Sequence, residues 1–124
     1  MKHPFAELIG LEVTQMRAGY SECVLQICDE QHHNPNGVVH GAVLYALADT
    51  GMGAALQPSL GEDQYCATVE IKMNYFRPAS AGRLHCITEV VNRGRRLANI
   101  ESRLYSGDAL IAQANGNYAI LAKP

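Results

Sequence analysis

Only one stretch of this 124-residue chain suits a long helix, and that stretch has no polar side. It runs Ala42-Val43-Leu44-Tyr45-Ala46-Leu47-Ala48-Asp49-Thr50-Gly51-Met52-Gly53-Ala54-Ala55-Leu56-Gln57, and Pro58 and Gly61 stop it. A helix that is apolar nearly all round is expected to be buried, so the rest of the chain must wrap it.

The remainder reads mostly as strand. Cys66 to Phe76 alternates, with Ala67, Val69, Ile71, Met73 and Tyr75 on one face and Thr68, Glu70, Lys72 and Asn74 on the other. Residues 77–82 form a turn, and strands over Leu84–Val91, Arg96–Tyr105 and Leu110–Leu121 follow. Hairpin turns at Asn92-Arg93-Gly94 and Ser106-Gly107-Asp108 place glycine where a positive φ is expected. Ahead of the helix, residues 3–9 suit a short amphipathic helix ended by Gly10. Leu11 to Met16 and Ser21 to Ile27 suit two strands joined at Arg17-Ala18-Gly19, and Asp29 to His40 a polar loop. The expected class is α+β: an antiparallel sheet wrapped on one central helix, as a single domain over residues 1–124. One helix cannot cover both faces of six strands, so the uncovered face and edges predict oligomerisation.

Composition narrows the partners. A net charge of −2, from 10 basic and 12 acidic residues, argues against nucleic acid, which requires a strongly basic face. The apolar run is too short to span a bilayer and carries a carboxylate. Met1-Lys2-His3-Pro4-Phe5 lacks the apolar core of a secretory signal, so the expected location is the cytoplasm, with no membrane partner. Cys23, Cys28, Cys66 and Cys86 contain no Cys-x-x-Cys pair and are expected as reduced thiols, mostly small apolar fillers.

Between Gln31 and Gly61 the only formally charged side chain is Asp49. A carboxylate in apolar surroundings loses hydration, which favours its neutral form and makes it more basic. Asp49 is therefore the first candidate for chemistry. The alternative is a surface Asp bonded to Thr50, but the helix offers no polar face for it. Gly41 opens the helix with an N–H that has no partner within it and the positive end of the helix dipole behind it, a ready oxyanion site. Eight residues separate Gly41 from Asp49, about 12 Å along a helix. One reacting carbon cannot lie within roughly 3 Å of both. Either the two do not cooperate, or Gly41 of one chain faces Asp49 of another across a two-fold axis, giving two equivalent sites per dimer.

Asn34, His40-Gly41 and Leu47-Ala48-Asp49, with the later Asn74-Tyr75-Phe76-Arg77-Pro78-Ala79 and Gly94-Arg95, resemble the hotdog-fold acyl-CoA thioesterases of the phenylacetate-degradation type over nearly the whole chain. One departure is Ala42, where that family usually carries a second glycine. The resemblance implies a hotdog fold and hydrolysis of an acyl-CoA thioester to free acid and coenzyme A. It implies no cofactor beyond the coenzyme A of the substrate. It also implies a site shared within a homodimer, which is expected to pair again into a tetramer.

The implied roles fall on particular residues. The Gly41 N–H polarises the carbonyl, helped by the Asn34 side chain, while Asp49 attacks the carbonyl carbon or deprotonates a water that does. Thr68 matches a water-orienting hydroxyl, although alternation turns it to the polar face, away from Val69 and Ile71, unless the strand twists locally. His40 either caps the helix or reaches the leaving thiolate. The phosphates of coenzyme A call for cations, for which Arg77-Pro78 at a strand end and Arg93, Gly94, Arg95 and Arg96 at a hairpin are candidates. Gly94 is expected to let backbone N–H groups face a phosphate, and at least one arginine to be merely solvated. His32, His33 and His40 with Asp49 contain the donors of a His–carboxylate metal set, but adjacent histidines point apart and Asp49 is too far along the helix, so no metal is expected. Two other functions fit less well. An acyl-CoA dehydratase or hydratase on this fold would need a histidine beside the carboxylate. A non-catalytic acyl-CoA-binding protein remains the third reading. The acyl group stays open.

Overall fold

A computed structural model describes residues 2–124. In chain order the elements are α1 (Pro4–Ile9), β1 (Leu11–Arg17), β2 (Tyr20–Gln26), α2 (Asp29–His32), α3 (Gly41–Leu56), a 3-10 turn (Gln57–Ser59), β3 (Gln64–Tyr75), β4 (Arg83–Arg93), β5 (Leu97–Ser106) and β6 (Ala109–Ala122). The strands form one sheet in the order β1-β2-β4-β5-β6-β3, and every neighbouring pair is antiparallel. The long helix α3 touches all six strands.

Burial explains that arrangement. Leu47, Met52 and Leu56 of α3 lose all solvent exposure against a core that includes Leu25, Leu84, Ile100 and Leu104. Each such side chain contributes about 1.5–3 kcal/mol on removal from water. Gly116 on β6 sets how closely the helix can sit, because a Cβ there would lie 2.7 Å from Met52 Sδ. A larger residue there would displace the Met52 side chain and crowd Ile71 and the Glu70 carbonyl.

Four local expectations change. First, α3 is not enclosed all round: Ala42 and Tyr45 are exposed, and Asp49, Gly53 and Ala54 are half-buried. The three- and four-residue spacing of Ala42, Tyr45, Asp49 and Gly53 makes one open stripe along the helix, with Ala54 beside it. Second, the polar loop contains the one-turn helix α2, organised by a buried imidazole. His32 Nδ1 accepts the Cys28 N–H at 2.9 Å, and Nε2 donates to the Ile9 carbonyl at 2.7 Å.

Third, β3 carries a bulge. Thr68 pairs with Tyr118 and Glu70 with Asn117, so Val69 is an extra residue and is 59% exposed. One inserted residue reverses side-chain parity. Before the bulge Cys66 and Thr68 face the helix, and after it Ile71, Met73 and Tyr75 do; Ala67 and Val69 turn away. Fourth, Gly94 does not have a positive φ, whereas Gly107 does, at 59°. Gly94 is there for room: its N–H donates to the Leu97 carbonyl at 2.8 Å, and a Cβ would lie 2.8 Å from that same oxygen.

Candidate active site

The bulge in β3 builds the surroundings of Asp49. Thr68 and Tyr118 are direct cross-strand partners, and both side chains point at α3. Asp49 Oδ1 accepts the Thr68 hydroxyl at 2.7 Å and also the Tyr118 hydroxyl. The Tyr118 hydroxyl reaches the backbone carbonyl of Asp49 as well, at 2.8 Å. Asp49 is thus a half-buried carboxylate met by two hydroxyls, not a lone acid in apolar packing, and Thr50 is not its partner. Burial first, and the bond to Asp49 second, push the Tyr118 phenol far above its ordinary range, so it serves as a donor. Asp49 opens into a cleft of ≈ 510 Å³ whose walls include His3, Phe5, Met16, Gln57 and Cys66. The Cys66 thiol is pushed up by burial and, less strongly, by Asp49, which makes it a poor nucleophile. Cys23 and Cys86 lie in the core with thiols pushed up by burial to about 12 and about 11.

The other end of the constellation is built from backbone. His40 caps α3, its Nδ1 accepting the Ala42 N–H at 2.9 Å. That is the structural role weighed for it, and it leaves the Gly41 N–H as the first free donor. The Gly41 N–H has no partner within the helix and makes no hydrogen bond among the described residues. The Gly41 carbonyl is held by the Tyr75 hydroxyl at 2.9 Å. A second cleft, of ≈ 590 Å³, opens here between Val38, His40, Gly41, Tyr75, Arg77 and Pro78.

Asn34 differs from expectation within one protomer. Its Oδ1 accepts the Asn36 N–H at 2.9 Å and the Val38 N–H at 3.4 Å, folding the loop before α3, and the residue does not line the Gly41 cleft. Its Nδ2 makes no hydrogen bond among the described residues. The two clefts share no lining residue, so Gly41 and Asp49 of one chain face different spaces.

The candidate cations also divide. Arg77 and Pro78 border the Gly41 cleft at the start of α3. Arg93 lies at the far end of the helix, where it donates to the Ser59 carbonyl at 3.1 Å and the Gly94 carbonyl at 2.6 Å. Arg95 and Arg96 beside it are exposed. The Gly94 N–H is already donated to Leu97, so that one amide is not itself free for a phosphate. His32 and His33 spend ring nitrogens on backbone carbonyls, His33 on Ser80 at 2.7 Å. No three His, Cys, Asp or Glu side chains converge among the described residues.

Tyr118 and His3 were not legible as site residues. Tyr118 is 69 residues from Asp49 and sits in an ordinary apolar-alternating strand. His3 precedes α1, which its Nδ1 caps by accepting the Ala6 N–H at 3.1 Å, and reaches the Asp49 cleft only because α1 folds back over it.

The family model of the Thioesterase superfamily matches residues 36–112, a span containing Gly41, Asp49 and Thr68. The solved structure of the conserved protein PA5202 from Pseudomonas aeruginosa superposes with a TM-score of 0.92, at 35% identity, covering 98% of this chain and 96% of that one. A mutant of the phenylacetic acid degradation protein PaaI from Thermus thermophilus superposes with a TM-score of 0.87, at 30% identity, covering 94% of this chain and 98% of that one. The 1,4-dihydroxy-2-naphthoyl-CoA hydrolase of Listeria monocytogenes is 27% identical over 89 residues, 72% of each chain. The hotdog architecture expected from the sequence is borne out by this likeness. Among the described residues, no helix is long and apolar enough to cross a membrane.

Proposed function

Because the chain belongs to the thioesterase superfamily and is a thioester hydrolase, we propose that it cleaves an acyl-CoA to the free acid and coenzyme A in a site built by two copies of itself. One observation carries this: the Gly41 N–H and the Asp49 carboxylate, both suited to acyl transfer, open into separate clefts of the same protomer. The open stripe of α3, with Ala42, Tyr45, Asp49 and Gly53, gives a second copy a surface on which to lie. Two α3 helices laid antiparallel bring Gly41 of one beside Asp49 of the other. The partner's helix then runs on past the start of the first for about 10 Å toward its Arg93–Arg96 hairpin, and with Arg77 these cations suit the phosphates of coenzyme A. Names among the relatives, a CoA hydrolase and a phenylacetic acid degradation protein, favour an acyl-CoA substrate. The working assembly is a homodimer, paired again into a tetramer, and the enzyme acts in the cytoplasm.

In this reaction the thioester carbonyl accepts the Gly41 N–H, while Asn34 folds the loop that leads into α3. Asp49 of the other subunit attacks the carbonyl carbon, or takes the proton of a water that attacks. Negative charge grows on the carbonyl oxygen, where the amide and helix dipole stabilise it. The tetrahedral intermediate then collapses and expels the thiolate of coenzyme A; on the water route that thiolate takes the proton held by Asp49, and on the direct route water hydrolyses the Asp49–acyl anhydride left behind, freeing the acid and restoring the carboxylate. Thr68 holds the carboxylate in place and orients the water.

Subunit exchange tests the shared site. Asp49→Ala and Gly41→Pro homodimers are each expected to be inactive. A heterodimer of the two has one site with both groups intact, so purified heterodimers are expected to recover about half the parental turnover. Inactive verified heterodimers would remove the proposal. Thiol release from aryl-acetyl, benzoyl and medium-chain acyl-CoA substrates identifies the acyl group.

A further inference from the structure

We infer that Tyr118 is a positioning residue for this hydrolysis: its buried hydroxyl fixes the Asp49 carboxylate and leaves a single oxygen, Oδ2, to act. The inference rests on the assignment of Asp49 as the acting carboxylate.

The geometry is asymmetric. Thr68 and Tyr118 both donate to Oδ1, and Oδ2 has no hydrogen-bond partner among the described residues. A carboxylate oxygen that already accepts two O–H groups is the weaker base and nucleophile of the pair. Tyr118 also reaches the main-chain carbonyl of Asp49, so one phenol grips both the side chain and the backbone of the same residue. Neither the rotamer nor the helix turn that carries it can shift without breaking that contact. Tyr118 is only 2% exposed, which keeps it from touching a substrate; it acts through Asp49. A phenylalanine would fill the same space and hold nothing.

Few other groups act on Asp49. From β3 come Thr68 and Cys66, whose thiol burial keeps neutral; His3 stands ahead of α1 on the cleft wall; β1 contributes only Val13 and Met16. A hydrogen bond to the charged form of an acid favours that form. Removing the Tyr118 hydroxyl therefore withdraws one of the two bonds that hold the charged carboxylate in place.

The test is Tyr118→Phe in the assembled full-length enzyme, with Asp49→Asn measured beside it. Turnover is expected to fall roughly tenfold, with KM within about twofold of the parent. Parental kcat in a folded Tyr118→Phe overturns the inference. If that variant does not fold, 3-fluorotyrosine at the same position keeps the shape and strengthens the donor; kcat should then depart from the parent with KM unmoved, and a parental kcat overturns the inference. The Asp49→Asn control separates the two failures. If Asp49→Asn remains active, the underlying assignment falls and this inference with it. If Asp49→Asn is inactive while Tyr118→Phe is parental, only the role of Tyr118 falls.

Discussion

The two ends of the constellation are built in opposite ways. The Gly41 end is a local backbone device. His32, Asn34 and His40 fold residues 28–42 onto themselves through backbone N–H and C=O groups, and the product is one unsatisfied amide at a helix start. The Asp49 end is a long-range side-chain device, in which hydroxyls 19 and 69 residues away in sequence meet one carboxylate. A single amide has no substitute, whereas two hydroxyls share their task. Damage at the first end should therefore abolish activity, and damage among the hydroxyls at the second should be graded.

Gly41→Pro makes the sharpest break. Proline is well tolerated at the first position of a helix, and His40 already has the extended backbone that precedes a proline, with ψ of 136°. The substitution thus deletes the N–H while leaving α3 able to form. Turnover should fall by about 10²-fold or more with the helical circular dichroism retained. Parental turnover would show that the amide is not where the carbonyl charge is held.

Thr68→Val sharpens the other side. Valine keeps the shape and removes one of the two donors, so kcat should drop by roughly tenfold, less than at Gly41. Thr68→Ser should restore most of it, because the hydroxyl and not the methyl does the holding. A Thr68→Val loss as deep as that of Gly41→Pro would erase the distinction between the ends.

The same contrast decides what could be read in advance. The class of fold was legible because apolar α3 and the alternating strands carry their periodicity within each segment. Gly41, His40 and Asp49 could be placed from the sequence because all three belong to α3 or its cap, with Asp49 about 12 Å along the rod from Gly41. Thr68 was assigned to the wrong face, because alternation assumes an unbroken ladder and the extra residue at Val69 breaks it. Tyr118 gave no local signal, since only pairing of β3 with β6 brings it to Asp49. The backbone hydrogen bond from Gly94 to Leu97, which no spacing rule reveals, takes that one amide out of the phosphate-facing set. All-round burial of α3 failed because apolar character fixes what a face seeks, not whether the same chain supplies it.

The smallest expected effect separates two roles for one residue. His40 Nδ1 caps α3, and a missing cap costs about 1 kcal/mol. For a domain of this size that is a fall in melting temperature of roughly 3–6 °C. If capping is the whole of its task, His40→Ala shows that fall with kcat within about threefold of the parent. His40→Asn then recovers the stability, because an asparagine oxygen caps equally well. If the imidazole also stabilises the departing thiolate, His40→Asn is as stable as the parent but slower, and the deficit grows with the basicity of the leaving thiol. Comparing coenzyme A esters with a more acidic aryl thiol ester measures that slope. A flat slope assigns His40 to the backbone device at the helix start, where its observed hydrogen bond already places it.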